Sequence, residues 1–324
     1  MTVRHLNPAV EASAQLGGAV TALVLEPSPP ADHTEPFFAD DPAAIPTDAS
    51  ATVGPTSAAD RTWAQVVAER PELAGWAAER WLAAYRPLNP VPDGYREARN
   101  AYHRLAYAVV AEARRCSNTK FGLRYTRGGF GTPFFGDDQQ VRVQDGLLVV
   151  QQGAQVRHSA ITSLQAAAQF VGVEPGTAAA EHDSPPLGDP DADLGATGST
   201  GAFLADWFGF SWAVLEELRV TPGAVDAERT QLWPGHFDPA AAIGDVEAGK
   251  RATYGCSPGD DAHDEPYLYV GAWGDVDRSD PYWNETAFNG ASLPYAALVG
   301  AGDAVQTALD FFRAGLDRLR GRAD

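Results

Sequence analysis

Only two cysteines, Cys116 and Cys256, occur in 324 residues. That excludes a disulfide framework and a Cys-x-x-Cys zinc site, and leaves room for one bridge at most. Basic residues are scarce too: 24 Lys and Arg stand against 43 Asp and Glu, a formal charge of −19. Such a chain repels phosphate backbones and anionic head groups, so no nucleic acid partner is expected. Long apolar runs are missing as well. No stretch approaches the roughly 20 apolar residues that span a bilayer. The N-terminal run GGAVTALVLEP has neither a basic leader nor a small-residue cleavage site, and the expectation is a cytoplasmic protein without membrane contact. Nucleotide and hydrolase signatures are also absent. TRGGFGTPFFG fits neither the P-loop nor the dinucleotide-binding fingerprint, and Ser257 stands in CSPGD rather than G-x-S-x-G.

What the chain does contain is eight Trp, ten Tyr and fourteen Phe in a 44% hydrophobic composition, enough bulk for a sizeable core. Residues 1–59 end in a long Pro-, Ala- and Asp-rich stretch and read as an extended arm or linker, with Phe37 and Phe38 as anchors. Residues 60–174 read as helices followed by hairpins. Trp63, Val66 and Val67, then Trp76, Trp81 and Leu82, recur at helical spacing on either side of Pro71. Tyr95, Ala98, Tyr102, Leu105 and Val109 share one face of a further helix, which carries His103 as an exposed or core-edge residue. Asp145-Gly146 between β-rich runs is the strongest hairpin signal, and TSLQAAAQFVGV resumes as a helix capped by Thr162 or Ser163.

The loop-like composition of residues 175–201 marks an internal boundary. Residues 202–324 follow as a second block, separate or joined to 60–174 in one domain. Its first helix has a stripe of Phe203, Trp207, Phe210, Val214 and Leu218. Strands are expected in RTQLWPGHFD and EPYLYVGAW, and a C-terminal helix carries Leu309, Phe312, Leu316 and Leu319. No internal repeat and no coiled coil is visible. Helices interspersed with hairpins imply an α+β fold, an antiparallel sheet of meanders and hairpins with several packed helices.

The chemistry concentrates in LWPGHFD and YGCSPGDDAHDEPYLYV. On extended chain residues two apart share a face, so His236 pairs with Asp238 and His263 with Glu265. Imidazole with carboxylate suits a divalent cation, which makes these four candidate metal ligands. His236, Asp238 and His263 also match the residue types of iron oxygenases that use 2-oxoglutarate, at too short a separation and without a cosubstrate Arg. The competing reading is structural: Asp260 and Asp261 as turn residues after Ser257-Pro258-Gly259, and Asp238 as the cap of a helix PAAAIG. A basic cluster, Arg114, Arg115, Lys120, Arg124 and Arg127, is a solvated face or meets a small anion. Candidate ligand contacts are therefore Lys120, Arg124, Arg127, Trp233, His236, Asp260 and Tyr267. The expectation is a small-molecule pocket between residues 232–270 and 120–127, in a protein whose status as an enzyme the sequence leaves open. The alternatives are a noncatalytic binding or scaffold protein and a metal-dependent enzyme.

The order KFGLRYTRGGFGTPFFG, LWPGHFD, SPGDDAHDEPYLYV, FNGASLPYAAL and a closing helix resembles an uncharacterised family of bacterial proteins, frequent in actinobacteria, with LWPxHFD and SPGDxxxxEPY motifs. The likeness extends from about Tyr95 to Arg320. It implies a mixed fold and brings no activity with it.

Overall fold

A computed structural model describes residue 71 and residues 88–120, 122–126, 128–136, 139–153, 155–176, 185–219 and 221–321. The arm expected at 1–59, the helices expected on either side of Pro71, and Arg127 lie outside the described residues.

Helix α1 (Tyr95–Leu105) continues through a π-helical stretch (Ala106–Ala111) into α2 (Glu112–Asn118). Tyr95, Ala98, Tyr102 and Leu105 are buried, as their i, i+3, i+4 spacing requires. A meander follows, β1 (Arg124–Thr126), β2 (Gly129–Gly131), β3 (Gln139–Gln144), β4 (Leu147–Gln152) and β5 (Gln155–Ala160), each strand antiparallel to the one before. Asp145 and Gly146 join β3 to β4 with φ of 51° and 78°. Two left-handed residues are what a two-residue hairpin turn of matching twist demands. Helix α3 (Leu164–Val171) is capped by Ser163, whose hydroxyl accepts from the Ala166 N–H at 3.1 Å.

The same order of elements then recurs. Helix α4 (Gly198–Leu218) precedes a second antiparallel meander, β6 (Gln231–Trp233), β7 (Asp238–Ile243), β8 (Ala252–Ser257), β9 (Tyr267–Ala272) and β10 (Gly290–Pro294), closed by α5 (Tyr295–Val299) and α6 (Ala304–Leu319). The repeat is architectural and leaves no trace in the sequence, because helical periodicity and strand alternation are met by different side chains in each half. The first strands of the two meanders meet edge to edge. Leu123 and Leu232 exchange both backbone hydrogen bonds, each 2.9 Å. The described residues thus show an α+β fold of two antiparallel sheets joined at that bridge.

Helix α4 packs on β1 and β2 of one sheet and on β7 and β8 of the other. It is therefore buried well beyond the one stripe expected, with Phe208, Trp212 and Leu215 enclosed alongside Phe203, Trp207 and Phe210. Each such side chain contributes roughly 1.5–3 kcal/mol of transfer free energy. Phe208 forms an aromatic triangle with Phe130 from the first half and Phe237 from the second, at centroid distances of 6.1 Å and 5.1 Å, and Phe130 and Phe237 lie 4.9 Å apart. All three contacts are edge-to-face, the favoured aromatic geometry.

Two strands were expected after α4 and five form. PAAAIG, expected as a helix capped by Asp238, is part of β7: alanine favours helix locally, but ladders to β6 and β8 on both sides prevail. No helix among the described residues is long and apolar enough to cross a membrane.

Candidate functional site

In an antiparallel sheet directly paired residues share a face. The pairs Trp233–Asp238, Ala240–Gly255–Tyr269, Ala242–Thr253–Gly271 and Ser257–Tyr267 therefore mark one face of the second sheet. The opposite face carries Ile243, Tyr254, Cys256, Leu268 and Val270, all in the core. Over the first face lies a cleft of about 1330 Å³. Its floor is made of small residues, Ala240, Ala242, Thr253 and Gly271, with Asp238 and Tyr269 among them. Its walls come from α1 (Arg99, Asn100, His103), from the loop after β8 (Gly259, Asp260, Asp261), and from Trp233, Trp273 and Phe288.

Asp238 is the group around which the floor is organised. It is 2% exposed. Its Oδ2 accepts a short hydrogen bond from the Tyr269 hydroxyl, while Oδ1 has no hydrogen-bond partner among the described residues. Burial raises its pKa, against the opposing pull of the His236 charge, the Tyr269 hydroxyl and its own backbone N–H. Burial also raises the Tyr269 pKa, and the Asp238 charge adds to it. Tyr269 reaches Asp238 from two strands away because residue 255, lying between them, is glycine. A Cβ there would overlap the Tyr269 ring.

The turn preceding Asp238 is held from α1. Residues 234–237 form a turn closed by the Phe237 N–H on the Trp233 carbonyl at 2.6 Å, and Phe237 takes a left-handed φ of 58°. This conformation is unfavourable for a residue with a Cβ. It persists because Phe237 is buried against Phe130 and Phe208 and stacks on His103 at 5.3 Å. His103 Nε2 lies 2.9 Å from the Pro234 carbonyl and 3.1 Å from that of Gly235. A carbonyl only accepts, so Nε2 carries the proton. Burial lowers the His103 pKa to about 4, and the ring is neutral at pH 7.

The loop of SPGDDAH is built on Arg99 and Asp260. Arg99, 2% exposed, donates to Asn100 Oδ1 and to the carbonyls of Asp260, His263 and Asp264. Tyr95 donates to the Pro258 carbonyl at 2.7 Å. Gly259 has φ 101°, and any Cβ there would run into the Arg99 guanidinium. Asp260 accepts from the N–H groups of Ala262 and His263, both at 2.8 Å, and from the Tyr267 hydroxyl at 2.5 Å. Partial burial works against its charge, but these donors outweigh it and hold its pKa below the usual carboxylate range.

Trp233, His236, Asp260 and Tyr267, named from the sequence, all line the cleft. Lys120 and Arg124 do not. Arg124 is 1% exposed and donates through Nε to the Tyr125 carbonyl, and the Lys120 N–H is bonded to Asn118 Oδ1. The pocket expected between residues 120–127 and 232–270 takes no lining from 120–127: Leu123 and Leu232 pair at the junction of the sheets, and the cleft opens over β7 to β9, beyond it.

The four metal candidates do not assemble. The turn at 234–237 breaks the strand alternation, so His236 is exposed while Asp238 is enclosed. His263 lies between Asp260 at 3.3 Å and Glu285 at 3.2 Å, and Glu265 is exposed outside the cleft lining. Among the described residues no three His, Cys, Asp or Glu side chains form a metal-holding group. The α1 residues Arg99, Asn100 and His103 were missed, since nothing local in their sequence points to a partner more than 130 positions away. Tyr269 was within reach: it alternates with Tyr267 in EPYLYV, and so shares its face.

Comparison with protein-family models, curated proteins and solved structures returned no match.

Proposed function

We propose that this chain binds a small organic molecule in the cleft over β7, β8 and β9. One observation carries the reading: Asp238 lies enclosed at the cleft floor, and its Oδ1 has no hydrogen-bond partner among the described residues. Buried polar atoms are ordinarily paired, and a charged one left unpaired weakens the fold. Such a group is retained where a ligand completes it. A cleft of about 1330 Å³ exceeds the roughly 300–1,000 Å³ common for small-molecule sites and accepts a ligand of that class. Its small-residue floor between aromatic walls suits a flat body.

A second reading adds catalysis. A carboxyl whose pKa is raised by burial, hydrogen-bonded to a tyrosine and facing a cleft, has the chemistry of a general acid or base. Turnover of a bound ligand that Asp238→Asn abolishes without loss of binding supports this reading. Binding without turnover leaves a noncatalytic binding protein.

The cleft itself is tested by a ligand-observed NMR screen of a fragment library against the wild type and Ala242→Phe, which places a ring on the floor. Fragments that bind the wild type and are lost in the variant support the reading. A screen with no hits, or with hits indifferent to the ring, contradicts it and favours a scaffold role.

A further inference from the structure

The cleft assigned above as a ligand site has a lopsided set of free polar groups, and we infer from it that the ligand is a cation: an ammonium, amidinium or guanidinium carried on a flat aromatic body. This inference rests on the binding role proposed for the cleft.

An ionised carboxylate offers lone pairs and no proton, so the enclosed Oδ1 of Asp238, which has no hydrogen-bond partner among the described residues, calls for an N–H or O–H donor. The protein has already placed its own neutral donor, the Tyr269 hydroxyl, on the other oxygen. Of the remaining floor residues, Ala240, Ala242 and Gly271 have no polar side-chain atoms, and the Thr253 hydroxyl is already bonded by the Trp273 Nε1–H. Of the other carboxylates that line the cleft, Asp260 is occupied by two N–H groups and the Tyr267 hydroxyl and serves the loop, Glu228 is paired with Arg251, and Glu97 and Asp261 are exposed. Asp238 is therefore the acceptor on offer at the floor.

Of the guanidinium groups, Arg99 on the α1 wall and Arg251, outside the cleft lining, are committed elsewhere, while Arg104 and Arg229 also line the cleft. Arg99 is engaged by Asn100 and three carbonyls. Arg251 is paired with Glu228 and held by the carbonyls of Gly244 and Asp226, at 2.7 Å and 3.1 Å. An anion on the floor would thus face the Asp238 carboxylate, whereas a cation would neutralise it in a low-dielectric setting, where a charge-assisted hydrogen bond is strongest. The formal charge of −19 acts in the same direction by enriching cations near the surface. Aromatic faces complete the recognition. Tyr269 and Trp233 lie beside Asp238, and Trp273, 49% exposed, is pinned at the far end by its Nε1 on Thr253 Oγ1 at 3.0 Å. Rings of this kind attract cations and stack on flat bodies.

Three indole probes of one shape separate the charge states: tryptamine, indole-3-ethanol and indole-3-acetate. Their affinities are measured by titration against the wild type and Asp238→Asn, with Tyr269→Phe as a milder variant that keeps the carboxylate. The expected result is that tryptamine binds the wild type at least about tenfold more tightly than the alcohol, a difference of about 1.4 kcal/mol, with the acetate weaker still. Asp238→Asn should shrink the preference to about twofold or less, and Tyr269→Phe should keep it. Equal or tighter binding of the acetate overturns the inference and leaves the cleft reading intact, as does a tryptamine affinity that ignores Asp238→Asn. If none of the three binds, the charge of the fragments lost in Ala242→Phe decides: a set without cations overturns the inference, and an empty set overturns the cleft reading with it.

Discussion

The Tyr269 hydroxyl on β9 donates to the Asp238 carboxylate on β7, crossing over Gly255 of the strand between them. The contact joins the two strands by their side chains in addition to the backbone ladder, and it fixes the Asp238 Oδ2, while Oδ1 has no partner among the described residues. The glycine is a steric requirement of this contact, because the Tyr269 ring occupies the space of a Cβ at 255.

Gly255→Ala should therefore displace Tyr269 and release Asp238. Overpacking of this kind costs about 1–3 kcal/mol. Urea unfolding of the variant should show a lower midpoint at unchanged slope, together with loss of ligand binding. A variant as stable as the wild type, with binding intact, would mean that the ring is free to lie elsewhere.

Gly259→Ala addresses the loop in the same terms. Residue 259 combines a φ of 101° with contact against Arg99, so alanine adds backbone strain of roughly 1–2 kcal/mol and pushes the guanidinium from the carbonyls it serves. The expected outcome is faster amide exchange at Ala262 and His263, whose N–H groups bond to Asp260, with the α4 core unchanged. Slow exchange at both positions in the variant would contradict it.

Much of the helical scaffold was legible in the sequence, because long amphipathic or wholly apolar segments such as 198–218 and 304–319 carry their period openly. The Asp145-Gly146 hairpin was legible from turn chemistry. β7 and β8 were not, since DPAAAI and ATYGCS hold few branched or aromatic residues and are strands only because neighbours pair with them. The site was half legible. Trp233, His236, Asp260 and Tyr267 stood out by type, and all line one cleft. The convergence of α1 on that cleft, and the separation of His236 from Asp238 by a turn, depend on tertiary packing that no local pattern encodes.

His103 gives a pH dependence of definite sign. Its folded pKa is lowered from 6.5 to about 4 by burial. Above pH 6.5 the ring is neutral in both states, and stability is unaffected by it. Between about 6.5 and 4 the unfolded chain takes up the proton and the folded chain does not, so stability falls with falling pH by up to about 3 kcal/mol. His103→Gln keeps a donor for the Pro234 carbonyl and has no proton to gain. Denaturation midpoints followed from pH 7 to 4 should fall less steeply in that variant. Parallel profiles would show that His103 titrates normally.

Glu228 and Arg251 form a buried pair, each nearly inaccessible. Glu228→Gln leaves the guanidinium enclosed without its counter-charge, and breaking such a pair costs about 3–5 kcal/mol. A calorimetric melt should show the loss. A change within about 0.5 kcal/mol, the range of ordinary surface substitutions, would mean that the carbonyls of Gly244 and Asp226 suffice for Arg251.

The stability of Asp238→Asn tests the central claim most directly. If Asp238 is kept for a ligand, its ionised, half-satisfied carboxylate weakens the empty fold, and the neutral amide relieves it. The raised folded pKa sets the sign: the penalty is present at pH values above that pKa and absent below the unfolded value of 3.8. Without added ligand, Asp238→Asn should melt higher than the wild type at pH 7, by about 2–4 °C for each kcal/mol relieved, and the difference should vanish as the pH falls toward 3.8. A variant that melts several degrees lower at pH 7 would show that the carboxylate supports the fold, and would contradict its assignment to a ligand.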